Sequence, residues 1–175
     1  MVAKPKKNYK QFNSKWAKKV YSSRGDKSQT MKKAGCGPTA AAIVIAEFCD
    51  ASVTPWDVAQ WFMAKGFRRD GSGTLWGAFK WVATKYKGKG IRKFATGGKG
   101  AIAATIKALD AGALVIANMG PGYWTKGGHY IVLWKCDGQY MYACDPGSST
   151  RSKQSLANFK KEVKRFAAFC PQEAR

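Results

Sequence analysis

Negative charge and histidine are both scarce in this chain. Asp and Glu number 10 against 31 Lys and Arg, with 1 His, so the formal net charge is +21. A field of that sign favours an anionic polymer as partner: cell-wall polymer, anionic membrane or nucleic acid. Most of the cations fall in four stretches (4–33, 65–69, 80–99, 151–165) and form no single basic block that would choose among them. CxxC pairs are also missing. The five cysteines, Cys36, Cys49, Cys136, Cys144 and Cys170, are irregularly spaced. With one His, a zinc site would need nearly every thiol, so neither a metal nor a cofactor is expected. No apolar run approaches the roughly 18 residues of a transmembrane helix. The longest, Ala40 to Ala46, reads as a buried helix. The basic N-terminus (Lys4, Lys6, Lys7, Lys10) leads into no apolar signal-peptide core. The expectation is a monomer without a membrane span, made in the cytoplasm and reaching an outside target only after release by other means.

What is present suffices for one core: 175 residues, 45% of them hydrophobic. Residues 1–14 read as a basic arm and 15–175 as a catalytic domain. Residues 16–33 are mostly loop. Pro38 suits the first turn of a helix, and the small apolar residues behind it predict a helix buried on every face. A second helix is predicted from Pro55 to about Lys65, with Thr54 as N-cap, Asp57 completing a capping box and Gly66 as stop. A third spans about Thr74 to Tyr86, and a fourth about Ala101 to Asp110. Residues 90–96 form a candidate strand. Ala113–Met119, Gly128–Lys135 and Gln139–Asp145 read as strands, and the basic segment near 153–166 as helical. Helices first and antiparallel strands after make an α+β layout.

Three residues carry candidate chemistry. Cys36 stands just before the buried helix, where unpaired N–H groups and the helix dipole favour a thiolate. Gly35 and Gly37 would let a substrate approach the sulfur. His129 alone has an ordinary pKa near neutrality, so a Cys/His enzyme has no other base. Asp145 closes the next strand and could orient the imidazole if the hairpin register allows it. A two-residue Asp137-Gly138 turn pairs Cys136 with Gln139 and averts Asp145. A three-residue Cys136-Asp137-Gly138 loop pairs Lys135 with Gln139 and sets His129 opposite Asp145. The second loop is the one expected. The oxyanion would be held by the Cys36 N–H and an upstream side chain, Gln29 first, with Ser28 and Thr30 as alternatives. Candidate substrate-binding residues are Gly35, Gly73, Trp76, Trp124 and Gly128, with Tyr123 beside Trp124.

These residues also form a pattern. Gly35-Cys36-Gly37-Pro38-Thr39, then Gly127-Gly128-His129-Tyr130-Ile131-Val132-Leu133, then Cys144-Asp145-Pro146-Gly147-Ser148 resemble the papain-like peptidases related to bacteriocin double-glycine leader peptidases. More narrowly, the chain resembles their stand-alone relatives, many of them peptidoglycan hydrolases or phage endolysin domains. The resemblance implies a papain-like fold and amide hydrolysis through a thioester, with Cys36 as nucleophile, His129 as base and Asp145 as orienting residue. One departure stands out: the family's oxyanion Gln lies six residues before the Cys, and Gln29 lies seven before.

The leading expectation is therefore a peptidoglycan hydrolase, endopeptidase or amidase, whose positive charge draws it to anionic wall polymer. The alternatives are a peptide-processing peptidase of the double-glycine type and a non-catalytic basic binding protein on the same scaffold, with nucleic acid a less favoured partner.

Overall fold

Apolar runs set between turn residues fix most of the elements. The computed structural model describes residues 3–173. Helices α1 (Met31–Ala34), α2 (Cys36–Phe48) and α3 (Pro55–Ala64) come first. A two-stranded hairpin follows, β1 (Arg68–Arg69) with β2 (Gly73–Thr74), and then α4 (Gly77–Lys85). The rest is β3 (Ile91–Gly98), α5 (Ile102–Asp110), β4 (Leu114–Met119), β5 (His129–Cys136), β6 (Tyr140–Cys144), β7 (Lys153–Ser155), α6 (Leu156–Glu162) and β8 (Val163–Pro171). Six of the strands form one antiparallel sheet in the order β3-β8-β4-β5-β6-β7.

Both faces of this sheet are buried, which is why β4 is apolar from Leu114 to Ala117 rather than alternating. Leu114, Ile116, Val132, Ala167 and Phe169 point to one side, onto the core beneath α2, α3 and α4. Val115, Ala117, Ile131, Leu133, Phe166 and Ala168 point to the other, with Leu109 and Phe159 from α5 and α6. Helix α2 runs through the first core and is buried from Gly37 to Ala46. Its composition, apolar on every face, follows from having no solvent side. No helix among the described residues is long and apolar enough to cross a membrane.

Two expected elements differ. The third helix begins at Gly77, not near Thr74. Gly73 takes a φ of +80° and Thr74 pairs with Arg68, so this stretch closes a hairpin. The segment near 153–166 is only partly helical: α6 is 7 residues long and leads directly into β8, the central strand between β3 and β4.

Residues 3–14 hold neither helix nor strand, yet they bond across the domain. The Gln11 side-chain amide donates to Lys32 O (2.8 Å), its backbone N–H to Pro146 O (2.9 Å), and Lys10 Nζ to Asp145 O (2.8 Å). Trp16 Nε1 locks this crossing by donating to Lys10 O (2.8 Å). One strap thus ties the chain just ahead of Cys36 to the chain that carries Asp145.

The α2 helix is docked on the β1–β2 hairpin through Gly37. A Cβ there would collide with the Thr74 side chain, and at Gly35 it would meet Met31 O and the Met31 side chain. Packing therefore demands both glycines, whatever room they also leave for a substrate. Gly37→Ala is expected to cost about 1–3 kcal/mol, read as a lowered denaturant midpoint. An unchanged midpoint would show that the hairpin yields freely.

Candidate active site

Cys36 is the first residue of α2, with Gly35 as N-cap and Pro38 inside the first turn, and no side chain caps the N–H groups at that end. His129 opens β5 and is hydrogen-bonded to the Cys36 thiol. Its Nε2 lies 2.6 Å from Asp145 Oδ1, which leaves Nδ1 to face the sulfur.

Asp145 reaches His129 by a route that neither expected loop provides. The turn has two residues, Gly138-Gln139: Asp137 N donates to Tyr140 O, and Gly138 takes a φ of +87°. The Asp137 carboxylate shapes it by accepting from Gln139 N (2.9 Å) and Tyr140 N (2.7 Å). Lys135 then pairs with Tyr142, a register that, continued, would avert Asp145. A bulge at Trp134 intervenes. Beyond it Leu133 pairs with Ala143 and Val132 with Cys144, which puts His129 opposite Gly147 and Asp145 on the side of His129. A Cβ on Gly147 would lie 3.1 Å from His129 Cε1, so the ring occupies the space that a side chain there would need.

The Asp145 carboxylate is fully buried and fully bonded. Oδ1 accepts from Gly147 N (2.8 Å) besides His129, and Oδ2 accepts from Arg151 Nε (2.9 Å). Burial alone would raise its pKa, but His129, Gly147 and Arg151 outweigh burial and hold it below the usual carboxylate value. Burial pulls His129 down, yet its bonds to Asp145 and Cys36 prevail and lift it to about 10. Burial pushes the Cys36 thiol up, and the hydrogen bond and charge of His129, with the Tyr130 and Gly37 N–H groups, leave it lowered. Both shifts run toward a thiolate beside an imidazolium.

The sulfur opens on a cleft of about 380 Å³. Gln29, Gly73 and Gly128 line it, as the sequence suggests, and so do Lys33, Arg68 and Asn118, which the sequence does not single out. Ser28 and Thr30 are not among its lining residues. Trp76 is stacked on Tyr130, a lining residue, at 6.1 Å between ring centroids. Gly35 lies buried beneath, as the α2 cap. Trp124 is the correction. It is 1% exposed in the core on the α5–α6 side and donates to Gln154 Oε1 (2.6 Å), so it cannot wall the groove. Tyr123 beside it is exposed. Arg151 was legible only in hindsight: it follows Asp145 in a Gly-Ser-Ser-Thr loop that lets the chain turn back. Arg68 carries no mark among 31 cations.

Helical and sheet layers that meet at a thiol, an imidazole and a carboxylate define a papain-like α+β fold. The Peptidase_C39 like family matches residues 7–173, and the chain belongs to that family. Two solved structures share the fold. A C39-like peptidase from Bacillus anthracis is 16% identical, with a TM-score of 0.54 over 81% of this chain and 90% of that one. The peptidase domain of Streptococcus ComA, a bifunctional ABC transporter involved in quorum sensing, is 19% identical, with a TM-score of 0.55 over 79% and 93%. No curated protein matches the chain in sequence.

The ion pair predicts a reactive thiol. Iodoacetamide should alkylate Cys36 with an inflection below that of an ordinary thiol, whose pKa is about 8.5. In His129→Ala only the burial and backbone contributions remain, so the inflection should move up and the rate at pH 7 fall by about tenfold or more. Equal profiles for the two proteins would rule out the ion pair.

Proposed function

We propose that this chain is a cysteine-dependent amide hydrolase acting on bacterial peptidoglycan, as an endopeptidase or amidase. The observation that carries the chemistry is the row Cys36–His129–Asp145 at the floor of an open cleft. The Cys36 thiolate attacks an amide carbonyl carbon, and the C=O electron pair moves onto oxygen. The Cys36 N–H at the start of α2 and the Gln29 amide are the donors offered to that oxyanion. Collapse breaks the C–N bond, and the departing amine takes the proton of His129. A thioester remains. His129, now neutral, removes a proton from water, the hydroxide attacks the thioester, and the acid leaves as thiolate and imidazolium re-form. Asp145 holds the ring in place and stabilises its charge throughout.

The substrate class rests on charge. Lys33 and Arg68 line the cleft, and the chain as a whole carries +21. Such a surface concentrates on a polyanionic wall without a separate targeting module. A phage-lysin-like setting, with release onto the wall, fits this reading. A second reading, a processing peptidase for Gly-Gly sequences, draws on the family and on the fold shared with the ComA peptidase domain.

The two readings separate in one comparison. Purified Gram-positive sacculi and a peptide with an internal Gly-Gly are each incubated with the wild-type protein and with Cys36→Ala, and the products are read by mass spectrometry. The proposal expects new amine and carboxyl ends in the sacculi with the wild type alone. Cleavage of the peptide with intact sacculi would transfer the assignment to the second reading.

A further inference from the structure

A glutamine is an ambiguous oxyanion donor. Its amide has a donor end and an acceptor end of nearly equal shape, and half a turn about the last side-chain bond exchanges them. With Oε1 toward a developing oxyanion, Gln29 would repel the charge that it is supposed to hold. Something must fix the amide, and the structure shows what does.

Arg68 Nη2 donates to Gln29 Oε1 at 3.1 Å. A guanidinium has five donors and no acceptor, so it can satisfy only the oxygen end. The flipped amide would set its NH2 against Arg68 N–H groups. Arg68 is itself immobilised, with a side chain 2% exposed. Its Nε donates to Tyr21 O (2.9 Å), its Nη1 to Arg69 O (3.3 Å), and Asp70 Oδ1 lies 3.4 Å from Nε. The guanidinium also lies over the Tyr21 ring at 4.9 Å. Asp70 is held in turn by Ser22 Oγ (2.5 Å) and Ser23 N (2.9 Å). Both Gln29 and Arg68 line the cleft that holds Cys36.

The geometry points to Arg68 as a positioning residue that locks the Gln29 amide with Nε2, which meets Ser28 Oγ only at a long 3.5 Å, as the donor end offered to the cleft. This rests on the reading of Cys36 as the nucleophile and of Gln29 as the second oxyanion donor. Lys cannot fully replace Arg here, because a single ammonium could not reach Gln29 while also filling the positions of Nε and Nη1. The lock also accommodates the changed spacing between Gln29 and Cys36: the amide's orientation is set from the β1–β2 hairpin, not from the turn before the helix.

Alkylation by iodoacetamide passes through no oxyanion, whereas addition of an aldehyde to the thiol does create one. The test therefore measures both on the intact chain, with acetyl-Gly-Gly-glycinal as the aldehyde and protection of Cys36 as its readout. Gln29→Glu keeps an acceptor for Arg68 but removes the donor, so it separates loss of function from loss of fold. It should fold, keep a Cys36 that alkylates faster than free cysteine, and bind the aldehyde about 100-fold more weakly, in line with the loss of one oxyanion donor. Arg68→Met should also alkylate normally and lose about tenfold or more in aldehyde affinity, with Arg68→Lys in between. On any peptide that the protein cleaves, kcat should fall with KM nearly unchanged. Wild-type aldehyde affinity in Arg68→Met, with the loss confined to Gln29→Glu, overturns the positioning role. Wild-type affinity in Gln29→Glu overturns the donor itself. A wild-type protein whose Cys36 alkylates no faster than free cysteine fails earlier and differently, at the nucleophile.

Discussion

The direction in which Asp145 points depends on one extra residue in β5. Side chains alternate along a strand, so a shift of one position exchanges the two sides of everything beyond it. The Gly138-Gln139 turn, capped by Asp137, sets a register that would avert Asp145 from His129. The bulge at Trp134 adds the odd residue that brings it back. Trp134 packs against the helical core, and its ring meets Tyr142 at 5.6 Å, so the bulge is held by packing and not merely tolerated. Given that parity, the rest follows: a side chain at Gly147 would crowd the imidazole, Arg151 can reach Oδ2, and the imidazole presents its remaining nitrogen to the sulfur.

The second constraint is that the reactive groups come from different layers. Cys36 belongs to a helix embedded in one core, while His129 opens strand β5 and Asp145 directly follows β6. Small relative movements of these layers would open the Cys–His contact, which matters because proximity is most of what such a site supplies. Two ties oppose that movement. Gln11 bonds the chain on both sides, at Lys32 and at Pro146. Tyr130 Oη donates to Thr74 O, and Thr74 meets the Tyr21 hydroxyl (2.6 Å) and backs Gly37. The site is thus clamped from its two ends, once by the N-terminal strap and once by the β1–β2 hairpin.

Local signals were legible and distant ones were not. The capping box at Thr54 and Asp57 forms with both of its halves, because its partners are three residues apart. The apolar run after Pro38 becomes the buried helix for the same reason: its composition alone decides its environment. The thiol and the imidazole could be chosen from the sequence, one by its place before that helix and the other for want of any rival. The hairpin register could not. It depends on whether Asp137 caps a turn and whether Trp134 bulges, and both choices are settled by packing. Strand β8 stayed hidden because its exposed Lys164 and Arg165 mask a strand whose partners, β3 and β4, lie far off in sequence. Trp124 misled for the opposite reason: an aromatic beside a turn looks like a groove wall until the second core claims it.

The scarcity of acidic residues takes on a meaning once their partners are known. Eight of the ten accept a backbone N–H: Asp26, Glu47, Asp50, Asp57, Asp70, Asp137, Asp145 and Glu162. Five of them shape local turns or a helix start, while Glu47, Asp70 and Glu162 tie segments distant in sequence. Among the described residues, four ion pairs converge on Asp70 and Asp145. Carboxylates thus serve geometry here more than charge balance. Those two carboxylates hold Arg68, which lines the cleft, and Arg151, which backs Asp145, in fixed positions. The many lysines on the surface have few carboxylates to meet, so their field extends outward, within the limits that salt sets. A chain built this way keeps its internal electrostatics local while its exterior stays strongly positive. That division suits the proposed action on a polyanionic wall, because the polymer would meet the surface field while the site keeps its own partners.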